Sequence, residues 1–473
     1  MSTTTQTSAG RRIEALLDDC SFVEIGGLVT ARSTDFNLAD IDTPADGVIT
    51  GYGTVDGRLV YVYSQDSAVL GGSIGEMHAK KIVNIYDMAL KMGAPVIGII
   101  DCAGLRLQEA TDALNAFGQI YLKQSESSGV IPQITAVFGT CGGGLALMPS
   151  LTDFTFMEAK NAKLFVNSPN TLEGNKELDT ATAAFQSEQA GIVDFVGDEA
   201  SIYDGIRELL SVLPSNNEDE AVSECTDDLN RICEGLADTK ADPAYMLSSI
   251  SDNNVLVETR KNFAKELVTG FIKLNGATVG AVANRSELFG ENGSEQTFDK
   301  VLTTGACYKA AEFVNFCDAF GIPVLTVTDV KGFDATVASE RSVSKAAAKL
   351  THAFASATVP KVNVIVGEAY GSAYVAMNSK AIGADITYAW PEASIGMMDA
   401  GLAAKIMYAD KPELIDEKAA EYATLQDSAV SAAKRGYVDS IIEPESTRKY
   451  VIGAFEMLYS KKSVPVDRKH GTV

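Results

Sequence analysis

Apolar residues recur every three or four positions at Ile82, Ile85, Ala89 and Met92, the spacing of one buried face of a helix. A short unbroken apolar run follows at Val96 to Ile100, too brief for a helix of its own and bounded by Gly93-Ala-Pro, so it predicts a strand buried on both faces. The same order returns 228 positions later. Ala310, Phe313, Cys317 and Phe320 repeat the stripe, and Gly321-Ile-Pro-Val-Leu-Thr-Val-Thr-Asp329 repeats Gly93-Ala-Pro-Val-Ile-Gly-Ile-Ile-Asp101. Pro132 and Gly143 recur as Pro360 and Gly371, and a second apolar run, Ile134 to Phe138, recurs as Val362 to Val366. Beyond it Thr152-Asp-Phe-Thr-Phe156 answers to Ala384-Asp-Ile-Thr-Tyr388, now 232 positions apart.

A constant offset across helix, strand, intervening segment and second strand indicates duplication. Each copy predicts an amphipathic helix, a buried strand, a helical segment, a second buried strand and a small-residue turn, an α/β fold written twice. The stretch 214–254 is rich in Asp, Glu, Ser and Asn and reads as an acidic connection, which puts the first domain at 1–213 and the second at 255–473. Lys461 to Val473 reads as a frayed tail.

Composition narrows the function. A formal charge of −24 leaves no basic face for nucleic acid. The longest apolar stretches, such as Ala94 to Ile100, fall far short of a bilayer span, and Met1 to Gly10 has no signal-peptide core, which points to a cytosolic protein. Seven cysteines without a CxxC pair and three histidines argue against a zinc site or a disulfide framework, so no metal is expected.

Chemistry is sought at the strand ends. Cys141-Gly-Gly-Gly-Leu-Ala146 follows a buried strand and opens an apolar helical stretch, so its backbone N–H groups would face a ligand oxyanion. A tight packing turn explains the same glycines. The device recurs as Tyr370-Gly-Ser-Ala-Tyr374, and in each copy the earlier strand also ends in a small-residue turn, Asp101-Cys-Ala-Gly-Leu-Arg106 and Asp329-Val-Lys-Gly-Phe333. No GxSxG, GxGxxG, GxxxxGK[ST] or HExxH motif is present, which leaves an anion held by backbone donors as the most economical chemistry. His78, followed by Lys80 and Lys81, reads either as a base or phosphate contact or as a surface helix end.

Over most of its length the chain resembles the carboxyltransferase subunits of biotin-dependent acyl-CoA carboxylases, transcarboxylases and sodium-pumping decarboxylases. The resemblance rests on Asp46-Gly-Val-Ile-Thr-Gly-Tyr-Gly-Thr-Val-Asp-Gly57, Gly71-Gly-Ser-Ile-Gly-Glu-Met-His-Ala-Lys-Lys81, Arg106-Leu-Gln-Glu109 and Ala384-Asp-Ile-Thr-Tyr-Ala-Trp-Pro391. It implies a duplicated crotonase-like fold, with acyl-CoA in the first domain, biotin from a separate carrier in the second, and an active site shared across a dimer interface. By resemblance, one oxyanion hole falls at Ala103, Gly104, Gly143 and Gly144, and the other at Gly371, Ser372 and Ala373. Lys80, Lys81, Arg106, Tyr374 and Val375 are the residues expected to touch coenzyme A or biotin.

The resemblance also implies a biotin carboxyl carrier protein, a biotin carboxylase or membrane decarboxylase subunit as partners, a homo-oligomer such as a hexamer built as a trimer of dimers, and a cytoplasmic or membrane-associated complex. Val375-Ala-Met-Asn378 favours propionyl-CoA/methylmalonyl-CoA over acetyl-CoA/malonyl-CoA or glutaconyl-CoA. The chain departs from the family pattern at Ala103 to Arg106, at Lys331 to Thr336 and at Asp399, where a glycine is usual. Two other readings stay open: a biotin-independent crotonase-type hydratase or isomerase, with Glu109 the nearest side-chain acid or base, and an idle assembly subunit.

Overall fold

The computed structural model describes residues 7–32, 38–173, 179–290 and 293–463, and the chain divides into two compact units, 1–220 and 221–473. Unit 1 is built on one sheet. Strands Val23–Glu24, Val48–Val55 and Arg58–Gln65 run antiparallel, and Val96–Cys102, Gln133–Gly142, Phe154–Glu158 and Phe195–Gly197 then add in parallel, in that spatial order. Helices Glu76–Met92 and Ala110–Ser127 make the first two crossovers. Cover on both faces is why Val96 to Ile100 is apolar at every position rather than at alternate ones.

Ile82, Ile85 and Ala89 are buried as their spacing predicts, but Met92 is 61% exposed. Periodicity does not see the helix end: Gly93 takes the left-handed conformation there (φ 61°) and turns the chain away before the last stripe position faces the sheet.

Unit 2 repeats the plan with Leu256–Thr259, Leu267–Leu274, Ala277–Asn284, Val324–Val330, Lys361–Tyr370, Ile386–Ala389 and Ser440–Ile441. The register carries the repeat into three dimensions. Val96 pairs with Gln133 and Val324 with Lys361, keeping the offset of 228, while Ile134 pairs with Phe154 and Val362 with Ile386, where the offset has grown to 232. In each unit the second central strand holds a further short strand beyond the one beside it, Lys163–Phe165 on Thr140–Gly142 and Ser394–Gly396 on Glu368–Tyr370. The β-α-β order, the two matching sheets and the duplicated register together make this an α/β fold of two homologous halves.

Small polar devices are duplicated too. Asp153 accepts from the Gln133 N–H and Asp385 from the Lys361 N–H, both at 2.8 Å. Asp194 accepts from Thr155 and Asp439 from Thr387, again at 2.8 Å. At the ends of the first central strands, Asp101 lies against Gly139 and Asp329 against Gly367, so closely that a Cβ on either glycine would overlap the carboxylate. Gly139→Ala and Gly367→Ala should therefore each cost about 1–3 kcal/mol in urea unfolding; a cost below the scatter of surface substitutions would show that the carboxylates are free to move aside.

The acidic stretch 214–254 carries structured parts of both units. Asn216 donates to the Gly93 carbonyl at 2.8 Å in unit 1, and helix Pro243–Ile250 buries Met246, Leu247 and Ile250 in unit 2. Of the expected tail, 464–473 lies outside the described residues, while Lys461 is tied down by the Val359 carbonyl at 2.9 Å and Asp385 at 2.8 Å. No helix among the described residues is long and apolar enough to cross a membrane.

Candidate active site

Strands Val96–Cys102 and Gln133–Gly142 end side by side, with Cys102 paired to Cys141. Gly143 (φ 65°) then turns the chain into the helical turn Gly143–Ala146, which runs on into Leu147–Leu151. The first amides of a helical turn have no acceptor within it. A Cβ on Gly143 would meet nothing within 4 Å, so this face of the turn is open to an approaching ligand. The Tyr121 hydroxyl donates to the Gly144 carbonyl from the other side and fixes the orientation of the peptide.

Across from it, Gly104 (φ 108°) is equally open, with its N–H only 3.3 Å from the weakly accepting Cys102 Sγ. Ala103 is different. Its N–H donates to the Gly71 carbonyl at 2.9 Å and is not available to a ligand. The expected donor set of Ala103, Gly104, Gly143 and Gly144 thus reduces to the three glycines, because residue 103 is tied to the turn at Gly71, 32 positions earlier in the chain.

The second copy builds the same corner. Gly371 (φ 60°), 228 positions after Gly143, opens helix Gly371–Ala376, and Ser372 and Ala373 lie in its first turn. Gly332 stands where Gly104 stands and is likewise open. Tyr374 is half-buried, with its phenol pushed up to about 12 by burial, and Val375 is exposed on the same short helix. The divergent segment after Lys331 has a structural role: Gly332–Phe333 pairs with Val301–Leu302, and Thr336 caps helix Val337–Glu340 through a 3.1 Å bond from the Ser339 N–H. Asp399 is the cap of helix Ala400–Met407, accepting from Leu402 at 3.0 Å.

Apart from Lys80, the charged candidates of unit 1 lie inside it. His78 is fully buried, neither a surface helix end nor a phosphate contact. Its Nδ1–H donates to the Asp46 carbonyl at 2.9 Å, Nε2 faces the Gln65 amide at 3.2 Å, and burial followed by the nearby Arg106 charge drops it to about 3. It is a neutral imidazole with no proton to take up near neutral pH. Glu109 accepts from the Glu76 N–H at 2.6 Å and Asp46 from the His78 N–H at 2.7 Å, so the amino end of helix Glu76–Met92 is already filled by two carboxylates. Arg106 bridges them, 2.6 Å from Asp46 and 2.8 Å from Glu109, with all three side chains fully buried. Arg106 and Glu109 are framework residues in this arrangement, and Glu109 is not placed to act as an acid or base.

Lys81 is buried as well. Its ammonium donates to the carbonyls of Ala45, at 2.8 Å, and Val48, and burial lowers it to about 8. Its counterpart 228 positions on is another lysine, Lys309, whose ammonium meets the carbonyls of Phe263 and Leu267 at 2.8 and 2.7 Å and is lowered to about 7. A lysine kept in both copies, each time closing the start of the same hairpin, has a structural task. The offset of 228 applied to Lys81 is the signal in the sequence that finds it. Only Lys80 of the two is exposed, in an ion pair with Glu76 at 2.7 Å. Lys81→Met should accordingly cost about 1–3 kcal/mol in chemical denaturation, by orphaning two buried carbonyls, against at most about 0.5 kcal/mol for Lys80→Ala; equal costs would contradict the buried placement.

What remains at the strand ends is a pair of open amide turns, one per copy, suited to holding an oxygen as it gains negative charge. Known proteins carry the same plan. Residues 5–473 match the family model described as carboxyl transferase domain. The chain is 39% identical over 488 residues to the methylmalonyl-CoA decarboxylase subunit alpha of Propionigenium modestum, covering 98% of this chain and 93% of that protein. It is 40% identical over 485 residues to the propionyl-CoA carboxylase beta chain of Roseobacter denitrificans, with the same coverage. A solved structure of transcarboxylase 12S with hydrolysed methylmalonyl-coenzyme A bound superposes at a TM-score of 0.91 and 36% identity, over 98% of this chain and 92% of that one. With the match running through both copies and their two turns, the chain belongs to the carboxyl transferase family.

Proposed function

We propose that this enzyme transfers a carboxyl group between biotin on a carrier protein and an acyl-CoA, with propionyl-CoA and methylmalonyl-CoA as the acyl pair. The observation that carries the reading is the duplicated amide turn, with neither His78 nor Glu109, the candidate bases of the first copy, placed to take a proton beside the acyl turn. The amides of Gly104, Gly143 and Gly144 take the thioester oxygen and stabilise it as an enolate develops. Those of Gly371, Ser372 and Ala373 take the ureido oxygen of biotin, and the exposed Ser372 and the open Gly332 leave room for a flat group to approach. Biotin, when bound, would supply the ureido nitrogen that bears the carboxyl group; releasing it as CO2, that nitrogen would take the acyl α-proton and the resulting enolate would add to the CO2, so that no protein base is needed. Tyr374 and Val375 flank the second turn as apolar walls, and Lys80 is the exposed cation left for coenzyme A phosphates.

The substrate choice is supported by the names of the relatives above. The partners are a biotin carboxyl carrier protein with a biotin carboxylase or a membrane decarboxylase subunit, and the assembly is a homo-oligomer like the hexamer described for transcarboxylase 12S. The purified chain with free biotin should decarboxylate methylmalonyl-CoA with a kcat/KM about tenfold or more above malonyl-CoA, the discrimination one methyl group supports, and should also prefer it to glutaconyl-CoA, whose chain is longer and unsaturated. A preference for either competitor would overturn the substrate assignment.

A further inference from the structure

Beside the second turn lies a carboxyl group that the fold does not need. Asp427 is 4% exposed, both of its oxygens are buried, and neither has a hydrogen-bond partner among the described residues. It ends the single π turn Ala423–Asp427 and packs on Gly396, where a Cβ would overlap its carboxylate. Gly396 pairs in turn with Tyr370, the residue before Gly371.

The first copy builds the same corner differently. There Gly142 pairs with Phe165, whose ring would lie 2.7 Å from a Cβ on that glycine, and the buried residue before the helix cap Thr182 is Ala181. The second copy has the ring on Tyr370, the glycine at 396, and Asp427 before the equivalent cap Ser428. Three positions have exchanged character together, and the exchange opens a space that holds an unpartnered carboxyl. An orphaned buried polar group is uncommon and costly enough to call for a role.

Two titratable groups face it: the Tyr370 phenol, from the central strand, and Asp399, from the cap of helix Ala400–Met407. Glu368, further along the strand, is paired with Lys300 at 3.1 Å, and Arg435 on the following helix donates to the Leu425 carbonyl at 3.0 Å. No described cation is paired with Asp427.

We propose that Asp427 is a proton-linked positioning residue of the second turn. With its proton, the corner packs closed and strand Ser394–Gly396 holds Glu368–Tyr370, and through it the Gly371 amides, in place. Without it, the carboxylate has no donor in the corner, draws in water, and loosens the strand and the turn together. The proposal rests on the reading that this turn receives the ureido oxygen. Burial first, and the neighbouring Asp399 second, lift the carboxyl to about 6. Because that lies above the unfolded value, the stability it confers is complete below about pH 4 and is lost as the pH rises through about 6.

The test compares wild type with Asp427→Asn, a neutral isostere, and with Asp427→Ala, the first copy's solution. Hydrogen exchange at residues 394–399, corrected for intrinsic rates, should lose about tenfold protection in wild type between pH 5 and 7.5, and stay level in both variants. Over the same range the KM for free biotin should rise several-fold in wild type alone, with the KM for methylmalonyl-CoA unchanged. Asp427→Asn should melt roughly 2–5 °C above wild type at pH 7.5, with the gap shrinking to about half at pH 5 and closing toward pH 4. Parallel pH courses for wild type and Asp427→Asn in exchange and melting would overturn the proposal. Absence of biotin-dependent turnover would instead sink the functional reading, and the exchange data would still decide this one.

Discussion

Gly143→Ala should lower the rate of carboxyl transfer by about 10²–10³-fold, the loss seen when one oxyanion donor is removed, while the protein stays folded. The two consequences of the added methyl differ in size. Residue 143 has φ 65°, so alanine strains the backbone by about 1–2 kcal/mol. That is tolerable in a unit whose sheet is undisturbed, since the new Cβ meets no protein atom within 4 Å. The open space it enters is where the thioester oxygen must come. Gly371→Ala repeats the experiment in the second copy (φ 60°), where a Cβ would lie 3.3 Å from the Met397 carbonyl. Steady-state kinetics with each substrate varied in turn should separate the pair: the first variant weakens kcat/KM for acyl-CoA more than for biotin, the second the reverse. Unchanged kinetics in both would mean that the turns serve packing alone.

The largest loss of stability should come from Arg106→Leu, at about 3–5 kcal/mol, or roughly 6–20 °C in the melting temperature of unit 1. Arg106 sits between Asp46 and Glu109 with no exposed side-chain surface on any of the three. Burial already raises the Asp46 carboxyl against the pull of Arg106, and removing the cation raises it further. A carboxylate held above its unfolded value destabilises increasingly as pH rises, so the deficit should be greatest near neutrality and shrink toward pH 4. Urea unfolding at both pH values measures it; a loss under about 1 kcal/mol would show that the triad is solvated.

The duplication was legible because strand pairing keeps sequence offsets: Val96 with Gln133 and Val324 with Lys361 need no side-chain detail to be matched. What could not be read was contact between segments distant along the chain. His-x-Lys-Lys looks like a surface helix start, yet it is roofed by the turn at Ala45 and Asp46, both in left-handed conformation, which brings carbonyls and a carboxylate onto His78 and Lys81. Ala103 fails as a donor for the same reason, its amide being tied to Gly71. The glycines at 104, 143 and 371 were legible because a positive φ is a demand that glycine itself meets. Asp427 has no signature in the sequence, since one aspartate in an acidic chain is marked out only by its burial.

The central claim, that enolate chemistry here runs on backbone amides with biotin as the proton acceptor, is tested most directly by CO2 release from methylmalonyl-CoA with and without free biotin. Release that depends on biotin and is absent without it is the predicted result. Release at the same rate without biotin, or biotin-independent hydration of an enoyl-CoA, would contradict it.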